Sequence, residues 1–150
     1  MTAHPDPLAL DNQLCFAVYS TAHAFNRLYR QQLSSLGLTY PQYLVLLVLW
    51  EQAPLPVKTI GERLMLDSGT LTPLLKRMEA MGLIRRERAS HDERQVLVAP
   101  SAAGLALKEK ARALPPATAC ASGLDLAALG KLVEELHRLR DHLLAATRPD

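Results

Sequence analysis

The chain has 150 residues, 49% of them hydrophobic and 21% charged, with a formal net charge of +2. That length suits one domain with a real core and leaves no room for a second independent enzyme domain. So small a net charge excludes a uniformly basic surface, and any polyanionic partner has to be held by local clusters. Taken in chain order, Leu10, Leu14, Ala17, Val18, Thr21, Phe25, Leu28, Gln32 and Leu36 fall at three-and-four spacing and predict one long helix over residues 8–36, stopped by Gly37. Tyr40-Pro41 opens a second helix, because proline is accepted in a first turn, and the apolar run 43–50 predicts that it is buried. Ala53-Pro54-Leu55-Pro56 breaks it, and Val57, Ile60, Leu64 and Met65 mark a short third helix before a turn at Leu66-Asp67. A fourth helix runs to Met81 and closes at Gly82. Residues 83–88 and 95–99 read as two strands around the polar tip 89–93, a two-stranded wing. Pro100-Ser101 starts a fifth helix that Pro115-Pro116 is expected to end, and residues 117–123 around Cys120 then read as a mobile small-residue loop. In the last helix Leu129, Leu132, Leu136, Leu139 and Leu143 alternate steps of three and four as in a coiled-coil seam, which favours a partner helix and hence a homodimer.

The expected fold is mainly α with a small two-stranded antiparallel wing: a winged helix-turn-helix plus a helical dimerisation region. Residues 1–150 form a single domain in this reading, with 8–36 and 101–148 as dimerisation helices and 41–99 as the DNA-binding lobe. No stretch approaches the roughly 18 apolar residues of a membrane span. Residues 1–11 lack the basic segment and apolar core of a secretory leader, so the cytoplasm is the expected location and no membrane partner is expected. Two distant cysteines without a CxxC, and the scattered His4, His23, His91, His137 and His142, give no metal-ligand spacing, so neither metal nor cofactor is expected.

The fourth helix carries the chemistry that suits DNA. Asp67 and Ser68 are good helix caps, and the free amides of a helix start attract phosphate. Ser68, Thr70 and Thr72 crowd that end with small hydrogen-bonding groups, and the Pro73 ring suits a thymine methyl. Lys76 and Arg77, one to two turns later, are placed for phosphates or a guanine. Leu71, Leu74, Leu75 and Met78 supply the inward face. Pro73 implies either a late start, at Gly69 or Thr70, or a bend. On the wing, Arg85, Arg86, Arg88 and Arg94 concentrate positive charge, with Arg94 poised to enter a minor groove and Asp92 two residues away to orient it. A solvated charged face is the plain alternative for each element alone. Their succession favours double-stranded DNA.

With Cys15-Phe16, Leu38-Thr39-Tyr40-Pro41-Gln42-Tyr43, residues 66–78 and Asp92-Glu93-Arg94 laid out, the chain resembles the MarR family of winged-helix repressors, and within it the organic-hydroperoxide sensors called OhrR. The resemblance implies a non-enzymatic homodimer on a pseudo-palindromic operator, with recognition helices in successive major grooves and half-sites about 34 Å apart. It also implies that Cys15 is the peroxide sensor, and that Cys120 of the partner subunit resolves its oxidised form, as in the two-cysteine class. Tyr29 and Tyr40 match tyrosines that hydrogen-bond the sensor sulfur across the dimer interface, and Tyr19 is carried over on its place beside the motif. Organic hydroperoxide is then the inducer.

The residues bear on this chemistry independently. Cys15, Tyr19, Ala22, Asn26 and Tyr29 form a helical stripe beside the apolar face, so Cys15 is expected to border the core without being sealed in it. Peroxide attack needs a thiolate, yet the helical neighbours Asp11, Asn12, Val18 and Tyr19 carry no positive charge, so hydroxyl donors from elsewhere have to stabilise it. Phe16, Val18 and Phe25 offer an apolar approach. Three other functions compete: a repressor released by a small aromatic ligand, a two-cysteine thiol peroxidase, and a coiled-coil adaptor without a DNA role.

Overall fold

The computed structural model describes residues 6–147; His4, the first five positions of the segment read for a leader, and position 148 of the expected dimerisation helices lie outside them. The chain divides into two compact units, one ending at Ala111 and the other beginning at Arg112.

The first unit opens with a short 3-10 turn at Leu10–Asn12 and continues as α1 (Leu14–Leu33), α2 (Tyr40–Glu51), β1 (Leu55–Pro56), α3 (Val57–Leu64), α4 (Ser68–Ala80), β2 (Ile84–Ala89), β3 (Asp92–Pro100) and α5 (Ala102–Ala111). The expected first helix is thus trimmed at both ends: Gln13 is extended, and the last turn tightens to 3-10 over Ser34–Leu36. Gly37, at φ 66°, makes the left-handed exit that glycine tolerates best. Pro41 sits in the first turn of α2, and Gln42 Oε1 accepts the Thr39 backbone N–H at 3.0 Å, so the helix start is closed from both sides.

The segment expected only to break α2 contains a strand. Leu55 and Pro56 pair with Val98 and Leu97, making a three-stranded antiparallel sheet in the order β1-β3-β2 rather than a two-stranded wing. The wing strands reach closer to the tip than expected, with Ala89 opposite Asp92 and only Ser90 and His91 between them. The largest fully buried side chains are Leu33, Val45, Leu46, Ile60, Leu71, Leu75, Met78 and Val98, and they join the end of α1 to α2, α3, α4 and β3. Gly61 allows the turn after α3 and then α4 to pack closely on it, since a β-carbon there would stand 2.9 Å from the Leu66 carbonyl oxygen and 3.3 Å from Leu71 Cδ2. Met65, counted among the third helix, instead leaves it with a left-handed φ of 55° and is exposed.

The second unit consists of α6 (Leu114–Ser122) and α7 (Leu126–Ala146). Pro115 and Pro116 occupy the first turn of α6, where their missing N–H groups cost nothing, and so open a helix as well as follow one. Cys120 therefore lies in the last turn of a helix rather than in the mobile loop expected for residues 117–123. Asp125 caps α7 by accepting the Ala128 N–H at 2.8 Å.

Candidate nucleic-acid interface and thiol site

Helix α4 starts at Ser68 and runs through Pro73, so the late start considered from sequence does not occur. Asp67 is the cap: its Oδ1 accepts the Thr70 N–H at 2.8 Å, while Ser68 is the first helical residue. Leu71, Leu74, Leu75 and Met78 are buried and fix the rotation of the helix. That rotation leaves Ser68, Thr70, Pro73, Lys76 and Arg77 exposed, with Thr72 half-buried at the edge. Lys76 and Arg77 have no ion-pair partner among the described residues.

On the wing, the Arg94 backbone N–H donates to Asp92 Oδ1 at 3.0 Å, and the Arg94 Nε stands 3.6 Å from the same oxygen. The Arg94 side chain is 95% exposed, so this carboxylate orients a cation that water otherwise surrounds. The remaining wing arginines are more engaged: Arg85 pairs with Glu87 at 3.7 Å, and Arg88 donates to the Glu93 carbonyl at 3.4 Å. Arg86, counted from sequence among the DNA-facing cations, is held within the chain. Its Nη2 donates to Glu79 Oε1 at 3.0 Å, and its backbone N–H donates to Glu79 Oε2 at 3.1 Å. The guanidinium holds the Glu79 carboxyl below its ordinary range. Sequence reading passed over Glu79 because its partner lies seven residues on, beyond a helix end and a turn. Thr72, Arg86, Asp92 and Arg94 meet Lys58 along one cleft of about 380 Å³, which brings one of the α4 candidates beside those of the wing.

Cys15 lies in the first turn of α1 and is exposed, and Cys120 is exposed as well; neither is in a disulfide. The expectation that Cys15 borders a core is not met within one chain. Leu33 is the only buried residue of α1, while Leu14, Phe16, Val18, Tyr19 and Phe25 are exposed. In the other unit, Leu132, Leu136 and Leu143 of the α7 seam are exposed too, as is the adjacent Val133. Tyr29 and Tyr40 do come together, with ring centroids 4.5 Å apart, and Tyr43 joins them at 6.0 Å from Tyr29. Burial, then the neighbouring Tyr29, raises the pKa of Tyr40, and the same causes act on Tyr43. Both remain phenol donors at neutral pH. Tyr43 was absent from the sequence-derived site, although its place one helical turn after Tyr40 was a signal. Tyr19 instead packs against His23, with ring centroids 4.4 Å apart and planes tilted by 44°. Among the described residues no cluster of three or more His, Cys, Asp or Glu could hold a metal ion, and no single helix is long and apolar enough to cross a membrane.

Residues 27–111 match the family described as transcriptional regulator SarA/Rot. The chain is 54% identical over 144 residues to the HTH-type transcriptional regulator TtmR of Methylorubrum extorquens (strain PA1), covering 96% of this chain and 74% of that protein. It is 49% identical over 140 residues to the organic hydroperoxide resistance transcriptional regulator of Bacillus subtilis (strain 168), covering 89% and 95% respectively. Among solved structures, reduced AbfR bound to DNA superposes with a TM-score of 0.74 at 39% identity, covering 90% of this chain and 94% of that one. The disulfide-formed state of AbfR, a Staphylococcus epidermidis protein, gives 0.67 at 39% identity, covering 90% and 92%. The exposed α4 face, the oriented wing arginine and these likenesses agree: the chain belongs to the SarA/Rot and MarR type of winged-helix, DNA-binding transcriptional regulators, alongside the organic hydroperoxide resistance regulator.

Proposed function

We propose that the protein is a homodimeric repressor that holds a pseudo-palindromic operator and releases it when an organic hydroperoxide oxidises Cys15. One observation carries the reading. Cys15 and Tyr29 lie on a single stripe of α1, fourteen residues apart with Ala22 midway, which separates them by about 21 Å along the axis. The Tyr29 phenol of the same protomer is therefore out of reach of the thiol, and of the three candidate phenols only Tyr19, one turn on, neighbours it within the chain. When a second copy of α1 crosses antiparallel near Ala22, Cys15 of each protomer faces the Tyr29–Tyr40 pair of the other. The exposed apolar residues of α1 and α7 supply the burial that such a dimer needs.

In this reading the Cys15 thiolate attacks the terminal oxygen of the hydroperoxide. The O–O bond breaks, the sulfur becomes a sulfenic acid, and the alkoxide leaves as an alcohol after taking a proton. The thiol of the partner subunit's Cys120 then condenses with the sulfenic acid, forming the disulfide and releasing water. A disulfide requires Cα atoms within about 7 Å, and because Cys120 sits in α6 rather than in a loop, the bond displaces a helix instead of slack chain. Ser68, Thr70, Thr72 and Pro73 face the major groove, Lys76 and Arg77 the phosphates, and Arg94, oriented by Asp92, the minor groove. A 100-fold loss of operator affinity corresponds to about 2.7 kcal/mol between the two states, well within what a covalent link imposes.

The test is release of DNA followed by fluorescence anisotropy, using the tightest duplex that the reduced protein recovers from a random pool. Cumene hydroperoxide should release the wild type and leave Cys15→Ser bound. Release of the Cys15→Ser protein would overturn the reading. It would favour a repressor governed by a small aromatic ligand.

A further inference from the structure

The Glu79 carboxylate joins the last turn of α4 to the root of the wing, and it does so through two different groups of one residue. Strand β2 is an edge strand, hydrogen-bonded on one side only, to β3. Outward amides of an edge strand have no ladder partner. At Arg86 that gap is filled by Glu79 Oε2, while Oε1 takes the guanidinium at 3.0 Å. The Arg86 side chain is 25% exposed, against 95% for Arg94, and its Nε is buried with no hydrogen-bond partner among the described residues. The guanidinium is thus turned inward. Two bonds from a single carboxylate resist rotation of the strand as well as separation from the helix.

We infer that Glu79 is a positioning residue for DNA recognition: through Arg86 it sets the angle of the wing on α4, so that Arg94 meets the minor groove while α4 occupies the major groove. The inference rests on the DNA-binding reading of the wing and adds to it the residue that aligns it. Arg86 stands opposite Val98, four residues along β3 from Arg94, a lever of roughly 13 Å. A rotation of about 10° at the root therefore moves the Arg94 backbone by about 2 Å, a large fraction of a minor groove about 6 Å wide. The carboxylate need not touch DNA to decide whether the wing fits.

A double-mutant cycle between Glu79→Ala and Arg94→Ala separates positioning from general support of the fold. Affinity is measured for the duplex selected by the wild-type protein, with hydroxyl-radical cleavage to read minor-groove protection and thermal unfolding to show that each variant folds. Glu79→Ala should weaken binding about tenfold, comparable to Arg94→Ala, and erase the wing footprint while the α4 footprint persists. In the double variant the second substitution should add less than about twofold. Glu79→Gln, which keeps the size but loses the charge, should fall between wild type and Glu79→Ala, and it serves in its place if the alanine variant does not fold. Independent, multiplying effects would overturn the inference and leave the wing reading standing. Tighter binding by Glu79→Ala would also overturn it, by showing that a freed Arg86 contacts DNA. Unchanged binding by Arg94→Ala would remove both the inference and the wing reading.

Discussion

The rings of Tyr29 and Tyr40 pack against each other with centroids 4.5 Å apart and planes tilted by 32°, which joins the far part of α1 to the start of α2. If these phenols stabilise the thiolate of the opposite protomer, each contributes a hydrogen bond to a charged acceptor, about 1.5–3 kcal/mol. Tyr29→Phe and Tyr40→Phe should each slow sulfenic acid formation at Cys15 about tenfold or more at neutral pH. Stopped-flow reaction with cumene hydroperoxide measures this, and unchanged rates in both variants would remove the pair from the site.

The raised pKa of Tyr40 has a defined sign in stability. Burial and Tyr29 disfavour its phenolate, so the folded state holds the proton after the unfolded chain, with its ordinary value of 10.0, has lost it. This contribution is complete below pH 10 and is lost as pH rises from there through the folded-state value. Unfolding midpoints in denaturant should decline above pH 10 in the wild type and decline less steeply in Tyr40→Phe. An identical alkaline slope in the two proteins would show that Tyr40 is not a source of it.

For the covalent step, non-reducing electrophoresis after peroxide treatment should show a disulfide-linked dimer with both cysteines present. The dimer should be absent from Cys120→Ser. A disulfide that forms within one chain would contradict the intersubunit assignment.

Arg94 is oriented by a carboxylate 3.6 Å away yet almost fully solvated, so its ion pair with Asp92 adds little to stability. Arg94→Ala should leave thermal unfolding unchanged, weaken DNA binding about tenfold and flatten the dependence of log affinity on log salt by about one unit. Asp92→Ala should produce a smaller loss in the same direction. Equal affinity across a salt series would place the wing outside the interface.

The elements that sequence made legible are those governed by strong local chemistry. Gly37 at φ 66°, Pro41 in a first turn and the cap at Asp67 fix helix ends through interactions within four residues. What was missed depends on distant or dual-purpose residues. Leu55–Pro56 is too short for any periodicity and becomes a strand only because β3, some forty residues later, pairs with it. Pro115-Pro116 reads as a stop because proline damages a helix interior, yet the same residues are welcome at a helix start. The engagement of Arg86 by Glu79 requires the fold of α4 onto β2 and was invisible in a list of basic residues. The exposure of Cys15 has the same origin: the far end of its stripe packs through Tyr29 on Tyr40 and Tyr43, while the end that carries Cys15 is exposed among the described residues.

That stripe and the α7 seam give a prediction about assembly. Leu136→Glu places a charge on an exposed apolar face of α7 and should shift sedimentation from dimer toward monomer, with operator affinity falling in parallel. A variant that stays dimeric at all accessible concentrations would move the interface elsewhere.

The central claim is that oxidation at Cys15 changes the separation of the two α4 helices, and structures of the reduced and the disulfide-bridged dimer measure that separation directly. The account predicts about 34 Å between recognition helices in the reduced dimer, matching successive major grooves, and a spacing altered by several ångströms in the bridged one. Recognition helices that superpose in the two states with unchanged spacing would contradict it.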